Sequence, residues 1–129
     1  MSDTKTPVVT LVGHCGPDSS FLRMAVSSAA PGATVTMADT NQQLADVLEN
    51  GSDLLLFNRV LESGFDDSDG VALLKQTKAA NPGLKVLMVS NFPQTQQEAE
   101  AAGAVEGFGK NDISSGKASE RIKAALEAA

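Results

Sequence analysis

The chain has 129 residues, with 16 Asp and Glu, 10 Lys and Arg, one His, one Cys, and neither Trp nor Tyr. That length suits one domain, spanning residues 1–129, with a core that needs no disulfide or metal staple. A net charge of −6 argues against nucleic acid and against an anionic membrane surface, and the lone cysteine rules out an internal disulfide.

Met1 to Thr6 is polar and reads as a flexible tail rather than a signal peptide. No apolar run approaches the roughly 20 residues of a membrane span, so a cytoplasmic protein is expected. Pro7 to Val12 is short, apolar and β-branched, a buried strand. After Gly13 to Pro17, the positions Phe21, Leu22, Ala25, Val26 and Ala29 follow helical spacing, closed by Pro31-Gly32. Ala33 to Ala38 reads as a second strand. Thr40 with Gln43 forms a capping-box pattern for a helix through Leu44, Val47 and Leu48, ended at Gly51.

Asp53 to Asn58 is the continuous apolar run of a central strand. Residues 59–69 read as a polar, acidic, solvated loop, and Asp69 caps a third helix that runs to Ala80. Asn81-Pro82-Gly83 stops it. Leu84 to Val89 is a fourth strand, and Gln94 to Ala102 a weak helix with only alanines facing inward. Ala104 to Gly109 is a short, glycine-weakened strand. Ile113, Ala118, Ile122, Ala125, Leu126 and Ala129 mark the last helix.

Five strand–helix units imply a doubly wound α/β fold, a parallel sheet covered on both faces. In such sheets the functional crevice lies at the carboxyl ends of the strands. There stand His14 and Cys15, Asn58, Ser90 and Lys110. Acidity is regional: residues 39–69 hold eight acids and one base, Arg59, while the rest hold eight acids and nine bases. That asymmetry bears on partners more than on fold.

In order and spacing, these residues resemble the receiver domain of bacterial response regulators, the CheY-like superfamily, from about Val8 to Leu126. Asp53 to Asn58 resembles the strand that ends in the phosphorylated Asp. Asp69-Gly70 resembles the opening of the third helix, and Val89-Ser90-Asn91 the strand ending in Ser or Thr. Gly103-Ala104 precedes Lys110 at the family's spacing, and Gly16-Pro17-Asp18 resembles the entry to the first helix. The resemblance implies a flavodoxin-like (βα)5 sandwich with strand order 2-1-3-4-5. It also implies a chemistry in which two acids and the acceptor Asp hold Mg²⁺, a hard cation needing oxygen ligands. Metal and Lys neutralise the phosphoryl group while the carboxylate attacks it.

Against that pattern, the acid positions are His14 and Cys15, and the acceptor position is Asn58. Gly107 replaces the switch aromatic, Asn111 the Pro after the Lys, and the loop after Asn58 is several residues longer. The chain is therefore read as a degenerate pseudo-receiver. It is expected to be a stand-alone, non-enzymatic interaction module without metal or cofactor, since the chain ends with its last helix. Lys110 is expected to act as a structural amine bonding Asn58 and nearby carbonyls.

The expected partner is a signalling kinase, a phosphotransfer protein or a downstream effector. It would dock on helix 1 near Phe21, or on the helix 4–strand 5–helix 5 face bearing Gln94, Gln97, Glu98, Glu106 and Lys123. The oligomeric state is open, a dimer through that second face included. Two alternatives stand beside this reading. One is a receiver phosphorylated at His14 or Ser90. The other is a redox or metal sensor built on His14-Cys15, with Asp18, Asp66, Asp67 or Asp69 completing a ligand set. Phe65 to Gly70 vaguely suggests a Ca²⁺ loop but lacks the downstream bidentate Glu, so a solvated loop is preferred.

Overall fold

The computed structural model describes residues 6–61 and 64–127. Of the suggested tail, Met1 to Lys5 lie outside the described residues, and Thr6 is exposed. Five strands and five helices alternate: β1 (Val8–Val12), α1 (Gly16–Ala29), β2 (Thr34–Ala38), α2 (Asn41–Asn50), β3 (Leu54–Asn58), α3 (Gly70–Ala80), β4 (Val86–Val89), α4 (Pro93–Ala101), β5 (Val105–Phe108) and α5 (Gly116–Glu127). The strands pair in parallel in the order β2-β1-β3-β4-β5, as expected for a doubly wound sheet.

Strand alternation divides the core. Val9, Leu11, Leu54, Leu56 and Leu87 face α1 and α5, meeting Leu22, Val26, Ala118 and Ile122. Val12, Leu55, Phe57, Val86 and Met88 face the other way, toward Leu44, Val47, Leu74 and Ala99. The central strand is buried along its whole length, which is why its sequence shows no polar alternation. No helix of the described residues is long and apolar enough to cross a membrane.

Several boundaries differ from expectation. β4 begins at Val86 rather than Leu84. α5 begins at Gly116, and Ile113 reaches the core from the short 3₁₀ turn Lys110–Asp112 and the residue after it. At α2, Thr40 Oγ1 accepts the Gln43 N–H at 3.0 Å, but the Gln43 side chain bonds the Asp39 N–H at 2.7 Å, one residue upstream of the box geometry.

The loop after β3 is the main correction. It is acidic outside but not simply solvated. Leu61 and Phe65 are buried in the α2–α3 face of the core. The loop folds back on itself: the Leu61 N–H donates to Ser68 O at 2.9 Å and the Gly70 N–H to Arg59 O at 2.7 Å, around an antiparallel bridge between Val60 and Asp69. Asn41 Oδ1 accepts the Asp66 N–H at 2.7 Å, tying the loop to α2. Asp69 does cap α3, its Oδ1 accepting the Val71 and Ala72 N–H groups at 3.0 and 3.2 Å. Leu61→Ala should cost about 2 to 4 kcal/mol in urea unfolding, the range for a buried Leu truncation. It should also speed amide exchange across residues 64–69, because the loop's own anchor is lost.

Candidate functional site

The carboxyl ends of β1, β3, β4 and β5 bring His14, Cys15, Asn58, Ser90 and Lys110 to one end of the sheet. Asn58 closes β3 and is 3% exposed. Its amide nitrogen donates to Gly13 O at 3.0 Å and to Val60 O at 2.6 Å. The two carbonyls consume both N–H groups, while Oδ1 is buried without a partner. Asn58 thus joins the β1–α1 turn to the inserted loop. Gly13 has φ +71° and Leu61 packs directly over it, leaving no room for a Cβ; only glycine holds that conformation cheaply.

His14 is buried, and its Nε2 lies 2.8 Å from Leu56 O. Facing a carbonyl, Nε2 carries the proton and donates, which leaves Nδ1 bare, buried and unpartnered. Burial pushes the His14 pKa down to about 4. The hydrogen bond to Leu56 opposes that shift, the Lys110 charge adds to it, and the Asp18 charge opposes it. The imidazole is neutral at pH 7. Cys15 occupies the N-cap position of α1, half-buried, without a side-chain capping bond.

Lys110 does not reach Asn58's amide. Its ammonium pairs instead with Asp18 of α1 at 3.2 Å, a carboxylate that offers the charge the neutral Asn58 amide lacks. Ser90 is buried, and its Oγ accepts the Phe92 N–H at 3.1 Å. Asn111 contributes what proline could not, an N–H donated to Asn91 Oδ1 at 3.0 Å.

At Gly107 a Cβ would collide with Met88 O and with the Gln96 side chain. Gln96 Nε2 sits within hydrogen-bond distance of three carbonyls: Met88 O at 2.9 Å, Ser90 O at 3.1 Å and Phe108 O at 3.2 Å. It lies where β4 and β5 fall out of register between Leu87 and Val89. The space beside the strand is thus filled by an amide reaching in from α4.

Mg²⁺ does not fit this donor set. Of the His14 ring nitrogens, Nε2 is bound to backbone and Nδ1 is a borderline nitrogen donor, the thiol is soft, and Asn58 offers only a neutral amide oxygen. Asp18 is committed to Lys110. Among the described residues, no three His, Cys, Asp or Glu side chains gather where they could hold a metal ion. Asp66, Asp67 and Asp69 belong to the inserted loop and form no such group.

No protein-family model matches the sequence, and no curated protein matches it either. Solved structures do. A CheY-like receiver domain protein from Methanospirillum hungatei superposes with TM-score 0.72 at 21% identity, covering 95% of each chain. The receiver domain of NtrX from Brucella abortus gives 0.67 at 21%, covering 95% of this chain and 99% of that one. A response regulator from Thermotoga maritima gives 0.66 at 20%, covering 96% and 100%. The chain has the receiver fold. Those similarities establish architecture, and the receiver positions of this chain carry the side chains described above.

Residue identity alone missed three contributors: Leu61, which packs over Gly13, Phe65, which anchors the loop in the α2–α3 face of the core, and Gln96, which fills the space beside Gly107. Two large apolar residues four apart in a polar loop were the available signal for the first pair. Gln96 offered none, since it is one of several glutamines on a polar helix.

A neutral buried His has a definite pH signature. Its folded-state pKa lies below the ordinary 6.5, so below that pH the unfolded chain takes the proton first. Stability is lost as pH falls, levelling off near pH 4. Relative to His14→Gln, the unfolding free energy should drop by about 2 to 3 kcal/mol between pH 7.5 and 4.5. Urea unfolding at the two pH values checks this; parallel curves would contradict it.

Proposed function

We propose that this chain is a pseudo-receiver: a non-enzymatic protein-interaction module of two-component-type signalling, acting in the cytoplasm without Mg²⁺-dependent aspartyl phosphorylation. Its partner is a signalling kinase, a phosphotransfer protein or a downstream effector. One observation carries the reading, the double donation from Asn58 to Gly13 O and Val60 O. A carboxylate has no N–H to give, so the acceptor the chemistry requires is incompatible with the contacts that hold the crevice together. The neutral His14, the Lys110–Asp18 pair and the amide packed beside Gly107 agree with it. Each serves the fold in a way that needs no phosphoryl group.

The test is phosphoryl capture. With Mg²⁺ and acetyl phosphate, mass spectrometry should find no adduct. With Mg²⁺ and beryllium fluoride, the amide signals of Asn58, Ser90 and Lys110 should stay in place. A shift at those amides would refute the reading, and an adduct on His14 or Ser90 would establish an unconventional acceptor instead.

Asn58→Asp provides a second check. It should destabilise the protein by about 2 to 3 kcal/mol, since the buried Gly13 carbonyl and the part-buried Val60 carbonyl lose their donors and meet a charge. It should gain no acetyl-phosphate reactivity.

A further inference from the structure

Four large apolar side chains are exposed among the described residues: Phe21, Met24, Val60 and Phe92. Val60 and Phe92 stand together. They line a cavity of about 100 Å³ at the mouth of the crevice, with Asn58, Arg59, Ser90 and Lys110. Arg59 and Val60 also line a groove of about 430 Å³ between α3 and α4, whose walls include Lys75, Thr95 and Glu98.

Arg59 joins the two cavities. Its guanidinium carbon lies 4.6 Å from the centre of the Phe92 ring. It has no carboxylate at ion-pair distance among the described residues. A guanidinium resting over a ring spends no N–H group on it, and those groups match a carboxylate in a two-bond fork.

The patch is held in place before any partner arrives. Arg59 O accepts the Gly70 N–H, Val60 O accepts from Asn58, and the Phe92 N–H donates to Ser90. A rigid patch loses little entropy on binding.

Charge selects the occupant. On a chain of net −6, Arg59 is the only base among residues 39–69, yet here it lies near Lys75 and Lys110. Of the neighbouring acids, Asp69 is turned into the α3 N-terminus and Asp18 is paired with Lys110. Glu98 is left as the groove's uncommitted carboxylate, against Arg59 and Lys75.

We propose that this lip is a docking site for an acidic peptide segment of a partner protein. A carboxylate of the segment forks onto Arg59, and an adjacent apolar side chain packs between Val60 and Phe92. The proposal rests on the interaction-module reading and names the chemistry of its partner.

Selection of a random peptide display library on the full chain tests it. Enriched peptides should place Asp or Glu next to a large apolar residue. A synthetic peptide of the enriched sequence should shift the amides of Arg59, Val60 and Phe92. Arg59→Glu and Phe92→Ala should each weaken it by about tenfold or more, the loss typical of an interface anchor. Both side chains are exposed, so an unchanged thermal melt will show the fold intact. Arg59→Lys, which keeps charge without the planar fork, should fall between.

Several results would overturn the proposal: no enrichment, enrichment of basic peptides, peptide shifts that map to Phe21 and Met24, or inorganic phosphate alone reproducing the peptide's shifts. The two readings fail separately. A phosphoryl adduct with peptide binding intact removes only the pseudo-receiver reading. Absence of peptide binding without an adduct removes only the lip.

Discussion

Two hydrogen bonds from one amide set the terms for the crevice. Gly13 O, which is buried, and Val60 O, which is part-buried, converge on the end of β3, and each needs a donor. Asn58 supplies both. The bond to Gly13 holds the turn after β1, and the bond to Val60 holds the start of the inserted loop. With the turn and loop tied to the same amide, Leu61 packs over Gly13 and Phe65 over the α2–α3 face. The turn after β1 is thereby covered by a leucine, and the open space that is left at the end of the sheet is a cavity of about 100 Å³ lined by Asn58, Ser90 and Lys110.

The electrostatics follow from that closure. An acid cluster is tolerable in a crevice when a divalent cation compensates it; without one, like charges in a low-dielectric site repel. Here charge is settled in other ways. His14 is neutral through burial, and Lys110 and Asp18 compensate each other at the rim. The acids of α2 and of the loop, Asp46, Glu49, Asp66 and Asp67, are exposed, where water screens them. Gln96 completes the change. Gly107 leaves no room for a Cβ, and an amide spanning three carbonyls at the β4–β5 irregularity packs against it. The exposed Arg59–Phe92 stack lies at the edge of this site.

Much of the architecture was legible along the chain because it depends on periodicity. Runs such as Leu54 to Phe57 and the spacing of Leu22, Val26, Ala118 and Ile122 can be satisfied only by a buried strand and by helices packed on it. The unusual residues at the strand ends were legible for the same reason, since position in the fold followed from the alternation. Boundaries shifted where local signals competed. Ile113 looked like the start of a helix but is buried from a 3₁₀ turn, and Gln43 bonds Asp39 rather than completing its box.

What the sequence determined by itself was the doubly wound sheet and the placement of His14, Cys15, Asn58, Ser90 and Lys110 at its carboxyl end, because hydrophobic period and turn residues act locally. Tertiary structure decided which of those residues meet. Asn58 is bonded across 45 residues to Gly13, and Lys110 lies against Asp18 rather than Asn58. Leu61 and Phe65 anchor an acidic loop in the core. Hydrogen bonds and packing between segments distant in sequence depend on where the folded chain places donors, carbonyls and cavities, and no local pattern encodes that geometry.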